Sequence, residues 1–162
     1  MDRSLNGTAC CLPLSARIHT HPGETNHVMA QPPRYTGTFP CTPQDARRAR
    51  KAVAAFAGSW LQDGDATDFE TAIGEALANV IEHGKCSQLT IECWYARKRV
   101  TAEIAQNGIG FEPPARARAP QHGATRGYGL FIMRAILDQV DYRENGTRVR
   151  LVKARGEGSP SP

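Results

Sequence analysis

One helical segment with two contrasting faces constrains the fold of this chain more than any other feature. Glu75, Asn79 and His83 follow one another at four-residue intervals, so a carboxylate, an amide and an imidazole share one face of a helix. On spacing alone, a solvated helix surface is the commoner explanation of such a face. The other side is an apolar stripe suited to packing on a core, formed by Ala72, Ile73, Ala76, Leu77, Val80 and Ile81.

Two glycine-rich turns lie downstream of this helix. Residues 100–105 alternate as a half-buried strand and run into a turn that contains Gly108 and Gly110. Glycine there permits a positive φ and lets a flat ligand approach the backbone. Residues 126–130 read Arg-Gly-Tyr-Gly-Leu and open an apolar-periodic helix, whose free N–H groups would suit a phosphate. Each turn alone is common in plain connections, so it is their order within one small domain that indicates function.

Composition favours a single domain and excludes several function classes. At 162 residues the chain is long enough for one sizeable core, and no run approaches the roughly 20 apolar residues that a membrane span needs. The formal net charge of +4 comes from scattered basic residues without interleaved aromatics, which disfavours direct nucleic-acid binding. We therefore expect a cytoplasmic protein with no membrane or nucleic-acid partner.

The cysteine pattern predicts neither a zinc site nor a disulfide framework. Of the five cysteines, Cys10 and Cys11 are adjacent, while Cys41, Cys86 and Cys93 are isolated and none has Cys-x-x-Cys spacing. Small disulfide-rich domains and zinc sites show denser, more regular spacings. A zinc site and a disulfide framework are therefore both disfavoured.

The chain divides into a folded domain at residues 34–153 and two tails. Residues 1–33 are rich in proline and lack periodicity, which predicts disorder and makes Met29 an alternative translation start; residues 154–162 are predicted to be a second disordered tail. The predicted elements are a strand at 34–39, a helix capped by Thr42 and reaching about Trp60, a helix capped within 65–67 and ending at Gly84, strands at 88–95 and 99–105, a lid at 112–125, a helix at 129–137 and a hairpin of 139–143 with 147–153.

Taken together, these motifs resemble a known family. The chain is similar to the ATPases grouped with gyrase, the heat-shock chaperone, histidine kinases and mismatch-repair proteins, and within them to bacterial anti-sigma factor serine/threonine protein kinases. This resemblance implies an α+β fold of the Bergerat type, a two-layer sandwich with a mixed, mainly antiparallel sheet covered on one face by three helices. The residues that carry the resemblance are Glu75, Ala76, Asn79, His83, Gly108, Gly110, Phe111, Arg126, Gly129, Leu130, Asp138, Val140 and Tyr142, together with Gly146 and Thr147 before the last strand.

The resemblance also implies cofactors and roles. It implies ATP and Mg²⁺, with Glu75 orienting or deprotonating the attacking hydroxyl, Asn79 binding the metal, and Arg126 acting as a catalytic charge clamp on the γ-phosphate. The remaining residues that it implies for nucleotide binding are His83, Gln106, Gly108, Gly110, Gly127, Gly129, Leu130 and Thr147.

Gln106 departs from the family pattern. The family usually has an aspartate two residues before the first glycine of the turn, where it accepts a hydrogen bond from the adenine amino group. Glutamine keeps an acceptor oxygen but is one methylene longer and uncharged. The neighbouring Asn107 would replace it only if the turn shifted by one residue, which turns the side chain to the other face.

Two functions from different classes follow. The first is a kinase that phosphorylates an anti-sigma factor antagonist, a STAS-domain protein, and sequesters a sigma factor in a partner switch; Glu75, Asn79 and Arg126 favour it. The second is a module of the same fold that sequesters a protein with little or no phosphotransfer, which Gln106 favours. The resemblance further implies a homodimer. Its expected surface is the first strand and helix, because Phe39, Val53 and Phe56 provide more large apolar side chains than a thin layer at the edge of the fold needs.

Overall fold

Three helices and five strands make up the part of the chain that the computed structural model describes, residues 31–111 and 128–156. The predicted lid and residues 1–30 lie outside this part, as do Arg126 and Gly127. In chain order the elements are β1 (Arg34–Pro40), α1 (Pro43–Gly58), α2 (Asp63–His83), β2 (Gln88–Ala96), β3 (Arg99–Gln106), α3 (Gly129–Ile136), β4 (Gln139–Arg143) and β5 (Arg148–Ala154), with a 3₁₀ turn at Glu144–Gly146.

The strands form one open sheet in the order β1-β2-β3-β5-β4, and each neighbouring pair is antiparallel. Ile91 is paired with Ile104, which in turn is paired with Val149, so an apolar row crosses the middle of the sheet on its inner face. The helices pack on this face. The predicted two-layer α+β architecture is confirmed.

Helix α2 lies between the other two helices and contacts both. Its apolar stripe is buried as predicted, with Phe69, Ala72, Ile73, Ala76 and Leu77 each exposing 1% or less of its surface. Burying each large side chain of this kind is worth about 1.5–3 kcal/mol, so the stripe fixes the rotation of the helix and thereby the direction of its polar face. None of the helices in the two described ranges is long and apolar enough to cross a membrane.

The three residues expected to form a dimer surface differ in how deeply they are buried. Val53 is fully buried, and Phe39 and Phe56 are half-buried and pack against the core cluster. Val53 is therefore unavailable for an external contact, whereas Phe39 and Phe56 keep part of their surface exposed, and the dimer surface stays a prediction.

The two long helices begin differently. Thr42 caps α1 as predicted, since its hydroxyl oxygen accepts a hydrogen bond from the Asp45 N–H at 3.1 Å. By contrast, α2 begins at Asp63 after Gln62, which makes no side-chain cap bond, and not within 65–67 as predicted. Asp65 is occupied elsewhere, because its carboxylate accepts from the Gly156 N–H at 2.7 Å and lies 3.5 Å from Lys153 Nζ.

One disulfide is present in the described residues, although the cysteine spacing disfavoured a disulfide framework. Cys41 and Cys86 form a disulfide, with Cα atoms 5.8 Å apart and a sequence separation of 45 residues. Cys41 directly follows β1 and Cys86 lies shortly before β2, so the antiparallel pairing that ends at Pro40 and Gln88 brings them together. Cys93 is free and buried, and burial raises the pKa of its thiol to about 12.

Candidate functional site

The polar face of α2 meets the beginning of α3 at Glu75. A Cβ added to Gly129, the first residue of α3, would lie 2.6 Å from Glu75 Oε2. The half-buried carboxylate thus occupies the space that the glycine leaves. Tyr128 holds the N-cap position of α3 and makes no side-chain cap bond. A carboxylate acceptor and a helix N-terminus, which carries partial positive charge, therefore lie side by side.

Asn79 lies one helical turn further along α2. The Asn79 Nδ2 is buried and has no hydrogen-bond partner in the described part of the chain, and the same is true of the Tyr142 hydroxyl on β4. Burial raises the pKa of Tyr142, while the nearby Asn79 amide and the Arg134 charge act to lower it. Buried polar groups are usually hydrogen-bonded, and here the Asn79 amide and the Tyr142 hydroxyl lie close together without a hydrogen bond of good geometry.

His83 completes the polar face but is held by aromatic contacts. Its exposed ring stacks on Phe111, with centroids 4.8 Å apart and planes at 23°. Phe111 in turn meets Tyr142 edge-on at 6.0 Å. Sequence spacing aligned His83 with Asn79, but it gave no sign that Phe111 would link the end of α2 to β4, because that contact joins residues far apart in the chain.

Gln106, at the end of β3, is wedged between two glycines. A Cβ on Gly84 would lie 2.5 Å from Gln106 Oε1 and 2.6 Å from its Nε2, and one on Gly108 would lie 2.7 Å from Oε1. Both amide atoms are buried, and neither has a hydrogen-bond partner among residues 31–111 and 128–156. Sequence reasoning treated Gly84 only as the end of a helix and missed its contact with Gln106.

Asn107 does not replace Gln106. Its Oδ1 accepts hydrogen bonds from the N–H groups of Ser87 and Gln88, each at 3.0 Å, and its Nδ2 donates to Ser87 Oγ at 2.9 Å. The turn is therefore not shifted by one residue. Asn107 ties it to the connection between α2 and β2 and leaves the predicted adenine position to Gln106.

The glycines of this turn allow backbone to pack on backbone. A Cβ on Gly108 would collide with the Gly84 carbonyl oxygen and lie 2.8 Å from Cys86 N. Gly110 has a φ of +82°, and a Cβ there would lie 2.9 Å from Thr147 N. These contacts explain the glycines without a ligand, so their role in shaping a nucleotide pocket stays a prediction.

The other predicted binding residues are dispersed around the same region. Thr147 donates its hydroxyl proton to the Glu144 carbonyl at 2.8 Å, and its own carbonyl accepts from the Gln106 N–H at 2.9 Å. Leu130 is buried in the core with 8% of its surface exposed. The structure thus brings Glu75 together with Gly129, Asn79 with Tyr142, and Gln106 with Gly108, while Arg126 and Gly127 lie outside the described residues.

Comparison with known proteins identifies the family. The pattern of the histidine kinase-like ATPase domain matches residues 39–153. The chain is 31% identical over 126 residues to the anti-sigma F factor of Thermoanaerobacter sp. (strain X514), covering 70% of this chain and 87% of that protein. It is 32% identical over 124 residues to the anti-sigma F factor of Clostridium novyi (strain NT), covering 68% and 86%. The chain belongs to the histidine kinase-like ATPase domain family.

Proposed function

We propose that this protein is an anti-sigma factor that uses ATP and Mg²⁺ to phosphorylate a serine or threonine of an antagonist protein. The observation that carries the proposal is the Glu75 carboxylate beside the first residue of α3, with Asn79 one turn along α2, whose Nδ2 has no hydrogen-bond partner among the described residues. Membership of an ATPase domain family supports ATP as the phosphoryl donor. The relatives named anti-sigma F factor support a sigma factor as a partner.

Glu75 acts as the general base in this proposal. A phosphate held at the free N–H groups of α3 would lie near Gly129, which is also the residue that Glu75 contacts. A hydroxyl brought to that phosphate would lie near the carboxylate, which would accept its proton as the new O–P bond forms and the bond between the γ-phosphorus and the departing ADP breaks. General-base catalysis typically contributes about 10²–10⁴-fold to a rate.

Asn79 fits the role of a magnesium ligand. Its side chain has an unsatisfied donor, so the carboxamide is not committed to a protein hydrogen bond through Nδ2. The neutral amide oxygen ligates a hard cation without adding negative charge beside the phosphates, and Mg²⁺ commonly takes one or two protein ligands with phosphate oxygens and water. When bound, the metal neutralises charge on the transferring phosphoryl group. The proposed roles of Arg126 and Gly127 rest on the resemblance alone.

The proposed partners are a STAS-domain antagonist and a sigma factor. The protein sequesters the sigma factor while unphosphorylated antagonist is scarce, and releases it when the antagonist binds. Transfer of labelled γ-phosphate from ATP to the STAS-domain protein encoded nearest this gene tests the kinase half. We expect transfer by the wild type and by Glu70→Ala, a control on the same helix, and a loss of about 10²–10⁴-fold in Glu75→Ala.

A second candidate function is sequestration without efficient phosphotransfer. Gln106 favours it, because this glutamine, whose amide atoms are buried, stands where the family's aspartate contacts adenine. Pull-down of the sigma factor by wild-type protein that transfers no label would support this candidate against the kinase. Sigma binding together with label transfer would support the kinase.

We also propose a homodimer, on the basis of the resemblance. Light scattering of the full chain at tens of micromolar should give the mass of two chains. A monomer mass at that concentration would remove this part of the proposal.

A further inference from the structure

The two polar atoms of the Gln106 side chain lack hydrogen bonds within the described residues. Its oxygen and nitrogen are both buried, and no described residue pairs with either. A buried carboxamide loses its bonds to water and is disfavoured unless another group replaces them. The neighbouring amide of Asn107 is fully engaged with Ser87 and Gln88, so it does not supply that partner. A ligand that offers one donor and one acceptor side by side would satisfy Gln106.

We propose that the Gln106 amide reads the edge of a purine at its six-position and accepts both 6-amino and 6-oxo purine nucleotides. This inference rests on the proposed function, which brings a nucleotide to this site. Facing adenine, the amide oxygen accepts from the 6-amino group and the amide nitrogen donates to N1. Facing hypoxanthine, the amide turns by half a rotation, so that its nitrogen donates to O6 and its oxygen accepts from N1–H.

The surroundings of Gln106 leave both orientations available. Gly84 and Gly108 flank the amide and have no side chains. A Cβ atom on either glycine would lie only 2.5–2.7 Å from the amide atoms, so the glutamine occupies the space that a side chain would need. No protein hydrogen bond in the described ranges fixes which amide atom points where. An aspartate would offer only acceptors and so would favour the 6-amino purine alone.

The decisive experiment is calorimetric titration of the full chain with Mg-ADP and Mg-IDP. These two probes differ in the donor and acceptor pattern at N1 and position six, and neither carries the 2-amino group of guanine. We expect the two dissociation constants to agree within about tenfold. A larger preference for Mg-ADP overturns the inference and leaves the proposed function standing. Binding of neither probe overturns both.

Two variants separate hydrogen bonding from fit. In Gln106→Asp, the ratio of the Mg-IDP to the Mg-ADP dissociation constant should rise at least about tenfold, because a carboxylate cannot donate to O6. Gln106→Glu keeps the length of the side chain and should raise the ratio in the same way. An unchanged ratio in both variants, with thermal melting showing that they fold, would mean that Gln106 does not read the purine edge.

Discussion

The carboxylate of Glu75 and the first residue of α3, Gly129, leave no room for a side chain between them. A Cβ on Gly129 would lie 2.6 Å from Glu75 Oε2, well inside van der Waals contact. Because Oε2 is the free end of a flexible side chain, it is the carboxylate and not the backbone that would move. The glycine therefore controls where the carboxylate sits.

Gly129→Ala should consequently impair phosphotransfer more than stability. We expect the transfer rate to fall at least about tenfold, because a displaced base is poorly aligned for proton removal. The free energy of unfolding should stay within about 1 kcal/mol, since alanine is the better helix former. Single-turnover label transfer and urea denaturation measure the two quantities. In a Glu75→Ala background the same change should cost little further activity, whereas additive losses would show that Gly129 does not act through Glu75.

Gly108→Ala should destabilise the fold itself. The added Cβ would meet the backbone of Gly84 and lie 2.8 Å from Cys86 N, and neither can move without breaking the turn. We expect a loss of about 1–3 kcal/mol or more in the free energy of unfolding. Gly64→Ala is the matched control, because nothing lies within 4 Å of its Cβ position and the change should alter the free energy of unfolding little. Equal effects of the two changes in urea denaturation would contradict the packing at Gly108.

The Cys41–Cys86 disulfide should contribute to stability and respond to reductant. It closes a loop with a sequence separation of 45 residues, and disulfides of this kind typically add about 2–4 kcal/mol. Dithiothreitol should therefore lower the melting temperature of the wild type. The double variant Cys41→Ala/Cys86→Ala, which keeps the other cysteines, should melt lower and be insensitive to the reductant. If dithiothreitol lowered the melting temperature equally in both proteins, its effect would not arise from this disulfide.

Lys153 should give the fold a stability contribution that is lost at alkaline pH. Its Nζ donates to Asp68 Oδ2 at 2.8 Å and to the Ile136 carbonyl at 2.7 Å. Burial acts to lower the pKa of Lys153, but its bonds and attraction to Asp68 and Asp65 outweigh burial, so the pKa stands above the usual 10.5. A raised pKa means that the folded state binds the proton more tightly, so the contribution is complete below about pH 10.5 and declines as pH rises through the folded value.

Lys153→Met should lower the free energy of unfolding by about 1–3 kcal/mol at pH 7, because it leaves a half-buried carbonyl and carboxylate without their donor. The difference in the free energy of unfolding between variant and wild type should become smaller above pH 10.5. Lys51→Met, at an exposed position on α1, serves as the control and should change little at either pH. A difference in the free energy of unfolding that stays constant with pH would show that the charge of Lys153 does not contribute to stability.

Hydrophobic periodicity predicted the helices and strands, because these depend on residues that are close in the sequence. The stripe from Ala72 to Val80 repeats with the helical period, and the alternation in β4 and β5 repeats with the period of a strand, so both were legible from neighbouring residues. The turn at Glu144–Gly146 was equally visible, since Asn145 and Gly146 tolerate the positive φ angles of 54° and 78° that they adopt.

Contacts between distant segments were not predictable in the same way. Cys41 meets Cys86 only because β1 pairs with β2, and Gly84 meets Gln106 only because β3 lies beside the end of α2. Asp65 looked like a cap until Lys153 and Gly156 were brought to it by β5. Sequence spacing carries no information about such pairings until the order and register of the strands are known.

Calorimetric titration of Mg-ATP into the wild type and three variants tests the central claim most directly. We expect binding by the wild type and by the control Glu70→Ala, and binding within about threefold for Glu75→Ala, which removes a negative charge near the phosphates. Asn79→Ala should weaken binding at least about tenfold, because the metal loses its protein ligand. Absence of Mg-ATP binding by the wild type, or equally small effects of Glu75→Ala and Asn79→Ala on binding, would contradict the account of the α2 face as a nucleotide site.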